Sequence, residues 1–273
     1  MKKIALVTNE KIAETSAKGN QEKWFDHANG KWYKLDAFGY EALAECLVSK
    51  FLEYSNIENE TQFTFVRYSI DKAVVHRRER IVSVSDNFLG KDESIITVAS
   101  LLNRELGMPV TKKLSMLSSD KKRIQFLAEE TKRVTGLSNF GEYLTLLFEI
   151  DALFLNDDRH LNNIAVLRRG EKYDYCPIFD NGAALLSNIG MLPMNIEPSA
   201  LISDLIARPF MTTFTRQMNS ARSLYGKQLS IPKFTRAEIA EIAYPALEYY
   251  PERDRDLMLS RLCECILLRQ KLI

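Results

Sequence analysis

Two aspartates, an arginine, a histidine and two asparagines crowd into residues 157–163 of FLNDDRHLNNIAVL (154–167), and another aspartate follows in PIFDNG, residues 177–182. Most of these side chains offer hard oxygen ligands, and the whole chain has only three histidines. Such a set suits Mg²⁺ better than zinc, because Mg²⁺ takes carboxylate, amide and water oxygens. Phosphoryl transfer from ATP needs few parts. A carboxylate orients the attacking hydroxyl, oxygen ligands hold Mg²⁺, a cation anchors the phosphates and backbone amides cradle them. Asp158 and Asn163 stand five positions apart, and Asp180 ends the next apolar run. Asp157 and Asn162 are also five apart, which leaves a second register open. Taken alone, the same residues would equally serve a plain polar turn.

The elements that must carry these residues are legible as periodicities. Up to about residue 85 the chain reads as β-rich. EKWFD and KWYKLD flank HANG, where Asn29-Gly30 suits a tight hairpin turn. Trp32, Lys34 and Asp36 alternate on one face of the second strand, with Tyr33 and Leu35 on the other. YEALAECLVSKFLEYS follows, with Leu43, Leu47 and Phe51 at helical spacing. TQFTFVRYSI (61–70) and AVVHRRERIVSVS (73–85) read as a second hairpin pair, rich in β-branched and aromatic residues. Beyond this the texture turns helical, over about 92–106, 120–134, 140–155, 199–222 and 235–270, with breaks. LGMP at 106–109 is a helix stop. One hairpin interrupts the helices, turning at Arg169-Gly170-Glu171 and returning through the strand YCPIF to Asp180. The expectation is an α+β, bilobal molecule: a β-rich lobe over residues 1–86 and a larger, mainly helical lobe over 87–273.

Composition narrows the function class. The 273 residues are 46% hydrophobic, ample for a sizeable core. The 37 basic and 36 acidic residues leave a net charge of +1, so neither nucleic acid nor an anionic membrane is expected as a direct partner. No secretory leader and no membrane-spanning run are visible. The four cysteines, Cys46, Cys176, Cys263 and Cys265, complete no zinc set and read as reduced core thiols of a cytoplasmic protein.

Asp158-Arg159-His160-Leu161-Asn162-Asn163 resembles the D-x-H-x-x-N catalytic loop of HipA-like serine/threonine kinases, and PIFDNG resembles their metal-binding segment. SAKGNQEKWF (16–25) resembles their phosphate loop, and KWYKLD the strand bearing their ATP-anchoring lysine. The likeness runs from about Thr15 to Leu186 and fits the compact, stand-alone members without the N-terminal subdomain. It implies a bilobal, protein-kinase-like fold and an ATP- and Mg²⁺-dependent kinase acting on serine or threonine of a protein. It selects the Asp158 register, with Asp158 orienting the acceptor hydroxyl and Asn163 and Asp180 binding metal. Lys34 would contact the phosphates and His160 would brace the loop. Backbone amides of Ala17, Lys18, Gly19, Asn20 and Gln21 would wrap phosphate. A glutamate of the following helix would hold Lys34. Glu41 and Glu45 both qualify, and Glu41 is the expected one. A hinge at Val84–Asn87, with Val84 and Asp86, would meet adenine. Thr15 and Ser16 are candidate self-phosphorylation sites, and an antitoxin-like partner is a further expectation. The alternatives are a phosphotransferase acting on a small molecule or lipid head group, and a nucleotide-binding pseudokinase.

Overall fold

A computed structural model describes residues 22–273. Strands β1 (Lys23–Asp26) and β2 (Lys31–Leu35) form the first hairpin. Asp26 accepts from the amides of Ala28 and Asn29, and Gly30 takes a φ of +63°. A two-residue turn at His76-Arg77, both at positive φ, joins β3 (Tyr68–Val75) to β4 (Arg78–Asp86). Positive φ at both central positions is what a tight two-residue hairpin requires. The second hairpin is therefore shifted from its expected place. Of residues 61–67, expected as strand, only Phe65 pairs, in a single parallel bridge with Ile178. The four strands form one antiparallel sheet in the order β1-β2-β4-β3.

Helix α1 (Glu41–Leu52) follows β2, and every residue of it except Lys50 is buried. It packs on β3 and β4 and on α9 (Arg236–Leu247). Short α2 (Ile57–Glu60) leads towards β3. After β4, the expected helix over 92–106 begins instead as strand β5 (Glu93–Thr97), and only Val98–Leu106 (α3) is helical. Ile95, Ile96 and Thr97 are β-branched and favour the pleat. The Thr97 hydroxyl then accepts from the Ser100 amide and caps α3. Gly107, at φ +62°, ends α3, and Pro109 starts α4 (Val110–Ser115).

Helices α5 (Asp120–Thr135) and α6 (Phe140–Phe154) match their expected spans closely. All residues of α6 except Glu142 are buried. β6 (Ala165–Arg169) and β7 (Lys172–Tyr175) turn at Gly170, and β5 joins them as a third antiparallel strand. β7 stops at Tyr175, so YCPIF is not a continuous strand; past it only Ile178 pairs. The expected helix over 199–222 is two: α7 (Pro198–Asp204) and α8 (Phe214–Tyr225). A loop containing the cis Arg208-Pro209 bond separates them. α9 and α10 (Glu252–Arg269) complete the chain.

One large apolar core runs through α1, α3, α5, α6 and α8–α10, so it crosses the expected 86/87 boundary. Tyr33, Ala73, Val75, Val82 and Val84 form a separate small core on one face of the four-stranded sheet. All four cysteines are buried and free. Among the described residues, no helix is long and apolar enough to cross a membrane.

Candidate functional site

Lys34 projects from β2 on the face opposite Tyr33. Its ammonium donates to Glu45 Oε1 at 2.5 Å and to Asp180 Oδ1 at 2.9 Å, and lies 5.2 Å from the centre of the Tyr68 ring. Burial alone would lower the Lys34 pKa, but the Asp180 and Glu45 carboxylates outweigh it and hold it well above the ordinary lysine value. Burial pushes the Asp180 carboxyl up, yet Lys34 and Lys23 pull it well below the usual carboxylate range. Asp180 itself sits at φ +62°, a conformation that aspartate tolerates better than most residues.

Glu45, not the expected Glu41, holds the lysine. The two share a face of α1, but Glu41 stands in its first turn, where its Oε1 accepts from the Phe38 amide. Glu41 also donates its own amide to Asp36 Oδ1. One turn further along, Glu45 reaches Lys34.

A second lysine enters unannounced. Lys23 pairs with Lys34 across the β1–β2 hairpin, so both side chains leave the same face of the sheet. Burial lowers its pKa, with Asp180 pulling the other way. Counting back from the Asn29-Gly30 turn to the register of that hairpin was the available signal.

The polar loop starts where α6 ends. Leu155 takes a φ of +60° and the Asn156 amide returns to the Asp151 carbonyl, closing the helix. Arg159, fully buried, then braces everything nearby. It donates to the Asp151 carboxylate, to the carbonyls of Asn163 and Phe179, and to Asn181 Oδ1 at 2.7 Å. Bracing was expected of His160. Its ring Nε2 lies 3.9 Å from Asp158 Oδ2, beyond hydrogen-bond range, and its buried Nδ1 has no partner among the described residues. Amides of α3 fix the loop from outside, Val98 donating to the Ile164 carbonyl and Ala99 to the Leu161 carbonyl.

Asn163 is buried, and its Nδ2 donates to the Asp158 carbonyl at 3.0 Å. That bond aims Oδ1 elsewhere, and Oδ1 is buried with no hydrogen-bond partner among the described residues. An orphaned amide oxygen costs free energy unless a ligand completes it. Asp158 is half-exposed, and its Oδ1 accepts from Arg208 at 2.7 Å. Asp157 is the more enclosed of the two: burial and the neighbouring Asp158 push its carboxyl up to about 6.

The residues present fit Mg²⁺. Asn163 Oδ1 and the ionised Asp180 carboxylate are hard oxygen donors, and Mg²⁺ usually takes one or two protein ligands with phosphate and water for the rest. Among the described residues no group of three or more His, Cys, Asp or Glu is poised for a metal.

Other expected positions fall away from the cluster. Val84 pairs with Tyr33 and Asp86 with Lys31, so both share the face opposite Lys34. Val84 is packed in the small sheet core and Asp86 forms an ion pair with Lys31 at 2.7 Å. Alternate residues of a strand face opposite sides, which leaves only backbone there for a hinge role. Ala17, Lys18, Gly19, Asn20 and Gln21 lie outside the described residues, as do Thr15 and Ser16. A surface cavity of about 440 Å³ at the C-terminal end of α1 contains none of the cluster.

No protein-family model matches the sequence, and no curated protein matches it significantly. Solved structures do. The chain is similar to the proinflammatory kinase CtkA of Helicobacter pylori, with a TM-score of 0.57 and 12% identity over 93% of this chain and 94% of that one. It is also similar to HipA, solved with HipB and operator DNA from the toxin–antitoxin system of Shewanella oneidensis MR-1. There the TM-score is 0.51 and the identity 13%, over 95% of this chain and 65% of that one. The chain therefore has the fold of these kinases, as the polar loop led us to expect.

Proposed function

We propose that the chain is a Mg·ATP-dependent phosphotransferase that acts on serine or threonine hydroxyls of proteins, itself included. The observation that carries this reading is the meeting of Lys34, Glu45 and Asp180 beside a loop that leaves Asn163 Oδ1 without a partner. The kinase fold supports it. Lys34 anchors the nucleotide phosphates, with Glu45 keeping it extended and charged. Lys23 adds a second positive charge from the neighbouring strand. Asn163 and Asp180 hold Mg²⁺, which when bound neutralises charge on the phosphates. Asp158 accepts the proton of the acceptor hydroxyl. The acceptor oxygen forms the new P–O bond, and ADP leaves with the electron pair of the bond that breaks.

Self-modification at Thr15 or Ser16 rests on their closeness in sequence to the phosphate loop. Phosphate there would repel the nucleotide and inhibit. The toxin–antitoxin setting of the HipA neighbour supports an antitoxin-like protein partner, and the four free thiols support a cytoplasmic location. Incubation with radiolabelled Mg·ATP, followed by mass-spectrometric mapping, tests the reading. Transfer to a serine or threonine is expected, and Asp158→Asn should lower it by about 10²–10⁴-fold while leaving nucleotide binding intact. Full activity in that variant would remove Asp158 from the mechanism.

A further inference from the structure

We infer that Arg208 is a positioning residue for the proposed transfer, acting through Asp158; this rests on the phosphotransferase reading above. Arg208 Nη1 donates to Asp158 Oδ1 at 2.7 Å, from fifty residues further along the chain. Asp158 has two carboxylate oxygens on a half-exposed side chain. The guanidinium holds one oxygen and so selects the rotamer in which the other faces the acceptor hydroxyl. His160 does not do this, since its ring stands 3.9 Å away.

The backbone beneath Arg208 is built to hold it. Ala207 and Thr212 exchange both backbone hydrogen bonds across the loop, at 2.7 and 3.3 Å. Gln217, buried on α8, donates to the Arg208 carbonyl at 2.8 Å. Phe210 is buried and packs edge-on against Phe148 of α6, with ring centres 5.8 Å apart. The loop is thus pinned to two helices of the main core, while the guanidinium and Asp158 are each 47% exposed. An ion pair that open contributes little to stability, so stability does not account for so firm a support. Arg208 Nε and Nη2 hydrogen-bond to no described residue, which leaves the guanidinium able to follow the carboxylate as the acceptor arrives. The same positive charge pulls Asp157 down, against burial and Asp158.

The test compares wild type, Arg208→Ala and Arg208→Lys by steady-state transfer to a peptide acceptor, with nucleotide affinity measured separately. Arg208→Ala is expected to lower kcat by about 10²-fold, the scale of a misplaced reacting group, with nucleotide affinity unchanged. Lysine, a single-point donor, should recover part of the rate. In single-turnover assays Arg208→Ala should have no further effect once Asp158 is Asn, because the two changes then remove one function. An undiminished or increased kcat for Arg208→Ala overturns the inference, as do additive effects of the two substitutions, while leaving the phosphotransferase reading standing. Absence of transfer by the wild-type chain overturns both.

Discussion

Glu41 and Glu45 stand one turn apart on α1, and their carboxylates have different partners. Glu45 is fully buried and salt-bridged to Lys34, whereas the Glu41 carboxylate accepts from the Phe38 amide and its own amide donates to Asp36. Burial raises the Glu45 pKa and Lys34 opposes the rise. A charge-assisted hydrogen bond of this kind is worth about 1.5–3 kcal/mol. Glu45→Gln should accordingly lower kcat/KM for ATP at least about tenfold, and Glu41→Gln should change it little; steady-state kinetics of the two variants decide between them. Helical periodicity placed both residues on one face and had no means to separate them. Their difference lies in where β2 brings its lysine. Arg159 was hidden for another reason. A charged residue in a polar loop looks solvated, and only the folded chain shows it fully buried against Asp151.

At the scale of elements, Arg159 joins three pieces: the end of α6 through Asp151, the polar loop through Asn163, and the segment after β7 through Phe179 and Asn181. Removing one partner of such a buried pair leaves an uncompensated charge. Arg159→Met is therefore expected to cost about 3–5 kcal/mol of stability in urea unfolding, and the double variant with Asp151→Leu to recover most of it. Equal destabilisation in single and double variants would show that the pair is not the unit. The helices α5 and α6 were legible from their apolar spacing, whereas the Leu155 cap of α6 shows only in its backbone conformation. β5 was read as helix because five residues are too few for periodicity to decide, and its pairing with β6 did. The segment following Asp180 splits. Leu192 and Met194 pack on the core, where Arg261 of α10 grips the Leu192 and Pro193 carbonyls, while Met191 is 79% exposed.

Across the whole molecule, Asp36, Glu41 and Tyr250 tie the end of β2, the start of α1 and the α9–α10 turn together. Tyr250 donates to Asp36 Oδ2, and the Glu41 amide donates to Oδ1. Burial, then the neighbouring Glu41 carboxylate, raise the Asp36 carboxyl to about 9. A raised carboxyl keeps its proton in the folded state while the unfolded chain releases it near pH 4. Its contribution is therefore most favourable at or below that pH, and stability is lost as pH rises towards 9, by up to about 1.4 kcal/mol per pH unit for one proton. Asp180, depressed, works in the opposite sense and loses its contribution only as pH falls below the ordinary carboxylate range. Asp36→Asn keeps an acceptor without the titration, so its stability relative to wild type should climb between pH 5 and pH 8 in thermal unfolding. Parallel curves would rule out a raised Asp36 carboxyl in the folded state.

Order, spacing and periodicity are properties of neighbouring residues, and they carried much by themselves. The β-rich start, the α1, α5 and α6 helices, the polar loop and the Asp158–Asn163–Asp180 order were all readable before any fold was known. What only the tertiary structure decided are pairings over long separations. Lys34 meets Asp180 across 146 residues, Arg208 meets Asp158 across 50, and Tyr250 meets Asp36 across 214. Such contacts leave no local trace. The free energy of bringing their charges together is settled by which apolar surfaces close around them, and that is a property of the whole packed chain.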